Sequence, residues 1–415
     1  LLLAQIFLCI FGVGIGGEYP LSASSASEKA MQNSLLGKKS QHGEERDEIR
    51  GIANNQEGRT RGRQIQLVFT MQGLGIWTQT IMLMVLLVIT GQAGNNEDGY
   101  DLNILMNIWR ITYLIGAAVL VFVLISRFIY LNESQVWAHD QQQQENQQSS
   151  KSIHSQSNHV NNEANDQIGM KTNESSTRLL LRMYGARLLG TSMSWLLWDI
   201  SFYGNKLFQS SFLLAIMGQD ISLLDYTMAA ALNSTVALFG YFGAAYLIDH
   251  PNVGRLRLQF FGFMITGLLF LICGLSFEHL PSEGLVILYL LTSFFGQLGP
   301  NATTFLVPAE IFPTEQRTLC HGTSAAAGKF GALIAAFLFN FLNNDADLFL
   351  MCGYASFIAC LLTFFTIPDT TNMDLLEIDR KWRMAANGVD ENYNGPANDP
   401  RFLSFYERQQ IESQF

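Results

Sequence analysis

Residues 107–130 read NIWRITYLIGAAVLVFVLISRFIY, and from Asn132 to Thr177 the chain turns polar, with a glutamine run at Gln141 to Gln144 among Ser, Asn and Glu. The first stretch is long enough to cross the roughly 30 Å hydrocarbon core of a bilayer as a helix. The second has the composition of a disordered linker and offers no apolar face to bury. Working outward, further apolar stretches of bilayer length lie at 2–25 and 65–91 on one side and at 188–217, 224–248, 257–277, 284–307, 320–342 and 347–367 on the other. Three spans therefore precede the linker and six follow it. Composition agrees: with 48% hydrophobic and only 14% charged residues, the chain is too apolar for a soluble protein of 415 residues.

Everything embedded is expected to be helical, because unpaired backbone groups are prohibitive in hydrocarbon and the strict alternation of a barrel is missing. The chain begins without Met, and its opening LLLAQIFLCIFGVGIGG is apolar at once, with no basic region or cleavage site before it. A twelve-span protein of two six-span halves would lack its first three spans here, so an N-terminally truncated all-α membrane protein of about nine helices is expected. Its parts would be the remainder of one half (1–131, with a polar insertion at 29–63), a central linker (132–177), a six-helix half (178–368) and a tail (369–415). Basic residues favour the cytoplasmic side. Lys38, Lys39 and Arg59 to Arg63, the basic flank Arg178, Arg182 and Arg187, Arg255 with Arg257, Arg317 and the tail fall on one side, and the acidic loops at 97–101, 278–283 and 343–347 on the other. That distribution predicts a cytosolic C-terminus and a cytosolic linker, which would suit a partner protein. The five cysteines show no paired spacing and read as packing residues, not as a disulfide framework or zinc site.

Charged residues within apolar runs are costly and default to function. Asp199 lies in Trp195-Leu-Leu-Trp-Asp199-Ile-Ser-Phe-Tyr203, where the spacing of four puts Trp195, Asp199 and Tyr203 on one helical face. It is a proton-carrier candidate, against the plainer reading of an Asp bonded to a neighbouring helix. Glu18, followed by Tyr19 and Pro20, is a second carboxyl, in the other half; it either handles protons or partners a base. Lys329 in Gly-Lys-Phe-Gly-Ala is either a fixed positive charge for an anion or a counter-ion to a carboxylate. Glu310, in Pro308-Ala-Glu-Ile-Phe-Pro313 with Arg317 shortly after, reads as part of a charge latch between helices. Gln72 and Asn301 are amides in apolar spans, able to donate to an oxyanion or to bond between helices.

These residues sit in segments with a recognisable order. Gly14-Ile-Gly-Gly-Glu-Tyr-Pro-Leu-Ser-Ala23 resembles the GGDYPLSA signature of the proton-coupled phosphate symporters of plants and fungi, a branch of the major facilitator superfamily, with Glu18 where aspartate is usual. The likeness continues through Arg61-Gly62, Phe69-Thr-Met-Gln-Gly73, Trp109-Arg-Ile111, Asp199-Ile-Ser-Phe-Tyr-Gly204, Gly299-Pro-Asn-Ala-Thr-Thr-Phe305, Pro308 to Thr314 and His321 to Lys329. The Pro308 segment and the Asp249 to Arg255 loop are also similar to those of sugar porters, whereas the QQxxGxN-type segment of sugar porters is replaced by WLLWDISFYG.

The resemblance implies a major facilitator fold and symport of inorganic phosphate with protons, with no cofactor. It implies a substrate site of Tyr19, Gln72, Trp195, Asp199, Tyr203, Asn301 and Lys329, with Glu18 and Asp199 coupling protons. Partners would be phosphate, protons and the lipid bilayer, without nucleic acid, in a multi-pass protein of the plasma membrane. An organic phosphate such as a glycerophosphodiester, or a phosphate receptor without net flux, are the alternatives. No nucleophile with a base, metal cluster or nucleotide loop points to an enzyme; GKFGA lacks the phosphate-loop spacing.

Overall fold

In the computed structural model, the residues described are 22–23, 46–92, 100–130, 176–207, 209–218, 221–342, 344–389 and 393–413. Ordered along the chain are α1 (Arg46–Ile89), α2 (Leu102–Tyr130), α3 (Ser176–Leu207), α4 (Gln209–Met217), α5 (Leu223–Leu247), α6 (Gly254–Leu275), α7 (Ser282–Gly296), α8 (Ala302–Leu306), α9 (Thr314–Phe341), α10 (Asp345–Thr366), α11 (Leu375–Ala386) and α12 (Phe405–Glu412). Among the described residues there is no strand, as the need to satisfy backbone groups internally demands. Seven stretches within these helices are long and apolar enough to cross a membrane. Helix α3 is not one of the seven, because its central stretch mixes Gly, Ser, Thr, Asn, Trp, Tyr and Asp199 among the apolar residues; it is nevertheless buried along its length, packed chiefly on α9 and α10. The expected span 2–25 lies outside the described residues except for Ser22 and Ala23.

Two helices depart from the spans read in the sequence. Helix α1 starts at Arg46, inside the polar stretch 29–63, well before the apolar span at 65–91. Once a helix exists, each added residue gains a hydrogen bond, and the Arg, Gln and Glu of this stretch are good helix formers. The span at 284–307 is not one regular helix: α7 passes at Gln297–Asn301 into a π-helical turn containing Pro300, then into α8 and a 3₁₀ turn at Val307–Ala309. Pro300 cannot donate to the ladder, and the hydroxyls of Thr303 and Thr304 donate to carbonyls of the same turn, at 2.9 Å from Gly299 O and 2.8 Å from Pro300 O. Opposite the turn stands Gly262, where a Cβ would come within 2.6 Å of Gly299 Cα. Two glycines in register thus let α6 approach the broken backbone closely.

Helices α1 and α5 form the main contact between the segments before and after the linker, and α6 packs on α10. At one end of these helices sits a buried charge cluster. Glu310, which is 0% exposed, accepts from Arg61 Nε at 2.9 Å and from Arg255 Nε and Nη2 at 3.0 and 3.2 Å. Arg255 also pairs with Asp249 at 2.8 Å, and Asp249 in turn accepts from the backbone N–H groups of Gly62 and Arg63 at 3.2 and 2.6 Å. Arg61 Nη1 donates to Met373 O and the Thr370 hydroxyl to Glu310, so the chain beyond α10 is bound in as well. The latch expected at Glu310 is present, but its cations are Arg61 and Arg255. Arg317 instead turns back to Phe312 O, at 3.2 and 3.3 Å. Burial alone would raise the Glu310 carboxyl, yet Arg255 and Arg61 overcome it and hold the group at about 2.

The tail closes the same end. Asp379 on α11 accepts from the backbone N–H of Thr314 at 2.6 Å and from its hydroxyl at 2.8 Å, capping α9, and Trp382 donates to Glu315 at 2.9 Å. Ser404 and Glu407 form a capping box on α12, and Glu407 receives Arg187 of α3 in a two-pronged pair at 2.7 and 3.0 Å.

Replacing one partner of a buried cluster leaves the others unpaired and costs about 3–5 kcal/mol. Glu310→Gln is therefore expected to lower the melting temperature of the detergent-purified protein sharply. The Glu310 carboxyl lies below its ordinary 4.5 when folded, so its contribution is present above that value and is lost as pH falls toward about 2. The melting gap between the parent and Glu310→Gln should stay constant from about pH 7 to pH 5 and shrink in more acid buffer; a gap that widens on acidification contradicts this.

Candidate functional site

Two polar clusters lie deep between the helices. The first joins α3 to α9. Spacing of four on α3 places Trp195, Asp199 and Tyr203 on one face, as expected, and Lys329 of α9 comes to meet them. Its Nζ lies 3.2 Å from Asp199 Oδ2 and 2.7 Å from the Tyr203 hydroxyl, and 4.5 Å from the centre of the Tyr203 ring. Asp199 is 2% exposed, whereas about a third of the Lys329 side chain, 32%, remains accessible. A buried carboxylate is thus answered by a cation that can still be reached. Trp195 stands beside Asp199, one turn away on the same face, and its ring meets Phe305 and His321 edge-on at 6.4 and 5.5 Å. Gly328 makes this approach feasible: a Cβ there would lie 2.8 Å from Trp195 Nε1 and 3.0 Å from Asp199 Oδ2.

The second cluster is centred on Asn301 in the π-helical turn. Trp198 Nε1 donates to Asn301 Oδ1 at 2.9 Å; Asn301 Nδ2 donates to the Tyr241 hydroxyl at 2.9 Å and to Gln297 Oε1 at 2.6 Å. Tyr241 then donates to Gln72 Oε1 at 3.3 Å. The chain of bonds runs from α3 through the turn and α5 to α1, so it crosses the same α1–α5 contact that the Glu310 cluster closes at its end. Of the two readings open for the amides, the structure displays interhelical bonding. A carboxamide nitrogen has two donor hydrogens, and both of those on Asn301 are engaged.

Of the residues singled out in the sequence, Asp199, Tyr203, Lys329 and Trp195 are gathered in one cluster, and Gln72 and Asn301 in the other. Tyr19 and Glu18 lie outside the described residues. Ala23, four positions beyond Tyr19, is fully buried in the apolar core that contains Trp195, Tyr241, Phe69 and Phe305. Tyr241, Trp198 and Gln297 were not anticipated. Gln297 had a signal, lying one turn before Asn301; Tyr241, in an apolar run, had none.

The comparisons with known proteins agree with this architecture. Residues 48–382 match the family described as Sugar (and other) transporter. The chain is 31% identical over 407 residues to a probable inorganic phosphate transporter of Arabidopsis thaliana, covering 90% of this chain and 72% of that protein. It is 30% identical over 434 residues to a low affinity inorganic phosphate transporter of Petunia hybrida, covering 93% and 74%. Among solved structures, the major facilitator superfamily proton:xylose symporter XylE bound to a bromodeoxyglucose aligns over 80% of this chain and 71% of its own, with TM-score 0.55 and 15% identity, a likeness of fold. The chain belongs to the sugar (and other) transporter family of the major facilitator superfamily. It is a multi-pass integral membrane protein and a secondary transporter, not an enzyme.

Gly328→Val should test the first cluster without touching a charge. The added side chain must displace the Trp195 indole and shift Asp199 from Lys329. Transport by the full-length protein is expected to fall by about tenfold or more at unchanged surface level, the kind of loss a misplaced positioning group causes. Uptake at the parental rate would mean that the register of this cluster is not limiting.

Proposed function

We propose that this transporter carries inorganic phosphate together with protons across the plasma membrane, with the Glu310 end and the tail on the cytosolic side. The substrate site comprises Tyr19, Gln72, Trp195, Asp199, Tyr203, Asn301 and Lys329, and Glu18 and Asp199 handle the protons. The observation that carries the reading is the Lys329 ammonium shared between a buried carboxyl, Asp199, and a tyrosine hydroxyl, Tyr203. The names of the relatives in Arabidopsis and Petunia support phosphate as the substrate.

The mechanism follows from competition for one cation. While Asp199 is ionised, Lys329 is its counter-ion. Phosphate, with one to two negative charges, would meet that carboxylate at a cost of about 4 kcal/mol at 4 Å and an effective dielectric near 20. A proton arriving from outside on Asp199 removes the repulsion, frees Lys329 to turn its Nζ to a phosphate oxygen and makes the Asp199 carboxyl a hydrogen-bond donor. Tyr203 and the Trp195 indole supply further donors. Asn301 joins when a phosphate oxygen replaces either Gln297 Oε1 or the Tyr241 hydroxyl on Nδ2, which loosens the chain of bonds across α1 and α5. Once the site faces inward, the proton leaves Asp199 toward the less acidic side, the carboxylate reclaims Lys329 and phosphate is released.

Labelled-phosphate uptake by the full-length protein in transporter-deficient cells is expected to rise as external pH falls and to collapse with a protonophore. Asp199→Asn should abolish accumulation against a gradient, and Lys329→Gln should weaken apparent phosphate affinity by at least about tenfold, as loss of a charge-assisted bond implies. Acid-stimulated accumulation that survives in Asp199→Asn refutes its proton role. Displacement of the label by a glycerophosphodiester at comparable concentration would move the substrate to organic phosphates.

A further inference from the structure

A second polar space lies away from the Asp199–Lys329 pair, in the half of the bundle opposite the Glu310 cluster. Helices α3, α5, α6 and α7 enclose a cavity of about 30 Å³ there. Some of its polar lining is already committed: Ser201 bonds Cys352 O, Thr292 bonds Tyr289 O and Trp198 bonds Asn301. Asn233, Asn205 and Lys206 are uncommitted or only partly so. Asn233, only 1% exposed, makes no side-chain hydrogen bond among the described residues. Asn205 spends its amide nitrogen on Ser201 O and Cys352 Sγ, and its buried Oδ1 has no protein donor. Lys206 makes no ion pair or hydrogen bond among the described residues, and no carboxylate lines the cavity.

An ammonium at membrane depth without a counter-charge is costly, and such groups are paired or functional. The cavity supplies the room for a pair. Its volume admits a halide-sized ion with a water beside it. Lys206 rules against a cation. Among the described residues neither atom of the Asn233 carboxamide is engaged, so its nitrogen can face an anion; the Asn205 nitrogen is fixed, so its oxygen requires a water.

We propose that this cavity is a binding site for a small monovalent anion of chloride size, held by Lys206 and the Asn233 carboxamide nitrogen, with a water bridging to Asn205 Oδ1. The site lies beside the Asn301 network, with Lys206 and Asn233 outside the proposed phosphate position, and does not depend on phosphate being the substrate. Its occupancy neutralises Lys206 and ties α3 to α5 next to the Gln297–Asn301 bond.

The full-length protein purified with gluconate as sole anion would be titrated with sodium chloride at constant ionic strength while thermal unfolding is followed. A saturable rise in melting temperature is expected, absent in Lys206→Met, retained in Lys206→Arg and shifted to at least about tenfold higher chloride in Asn233→Leu, as loss of a bond to a charge implies. Crystals of the parent grown in bromide should show an anomalous peak between Lys206 and Asn233, a readout independent of whether the variants fold. No chloride-specific rise, a rise that persists in Lys206→Met, or no bromide peak in the cavity overturns the proposal. Inorganic phosphate producing the same Lys206-dependent rise would overturn it too, by making the cavity part of the substrate path. Phosphate uptake in chloride-free gluconate medium reports separately on the transport reading.

Discussion

The carboxylate of Glu310 is the point at which charges from distant parts of the chain converge. It joins Arg61 on α1 to Arg255 at the start of α6, and the residues that follow α10 bond to the same group. Taking these charges out of water is expensive, and a hydrophobic replacement of the same shape would often be as stable. Maximal stability is therefore a poor reason for the cluster. A better one lies in how it can fail. An apolar contact weakens gradually with separation, whereas a buried charge cluster that loses one partner becomes unfavourable at once. In a transporter that exposes its site to two sides in turn, contacts at one end must be made in one state and broken in the other. A cluster of this kind leaves little between those states.

Its position relative to Asn301 gives that property a reach. The same α1–α5 contact is crossed at membrane depth by the bonds from Trp198 through Asn301 and Tyr241 to Gln72. The π-helical turn that carries Asn301 leads through α8 directly into the 3₁₀ turn before Glu310. Fewer than ten residues of continuous, fully buried backbone thus connect the amide network to the latch. A helix that passes through a π-helical turn with Pro300 lacks one ladder bond and deforms more easily than a regular one.

How much of this was legible in the sequence depends on how local the determinant is. Apolar runs of bilayer length marked the helices, since span length follows from bilayer thickness alone. The Trp195, Asp199 and Tyr203 face was readable because all three lie on one helix and need only its period. Lys329 was visible as a charge, but its bond to Asp199 was not, because the two lie on different helices. Tyr241 was hidden because a tyrosine in an apolar run looks the same whether its hydroxyl meets lipid headgroups or a buried amide. The latch was recognised at Glu310 but given a neighbour in sequence, Arg317, when the partners are 55 and 249 positions away. Pairing between helices is set by packing, which no local pattern encodes. The length of α1 was understated for the opposite reason: its polar first turns lack the hydropathy that marks a span, yet continue a helix already nucleated.

The choice of cation differs between the two charge sites, and the difference matches what each must do. At Glu310 the cations are arginines, and Arg255 grips the two carboxylate oxygens through Nε and Nη2 in a planar fork. Such a fork is always charged and loses both bonds if it rotates, so it fixes an orientation. Beside Asp199 the cation is a lysine, a point charge on a flexible stem, bonded to a carboxyl oxygen and a hydroxyl in different directions. A lysine can exchange one partner while keeping the other. Under the proposed mechanism, arginine there would hold Asp199 too firmly for a proton to replace it as the carboxylate's partner. Lysine at the latch would let the end of the helices drift. The forked arginine thus suits a holding contact and the lysine an exchanging one, as the proposed mechanism requires, because a substrate whose arrival competes for a cation can act only where the cation is able to move.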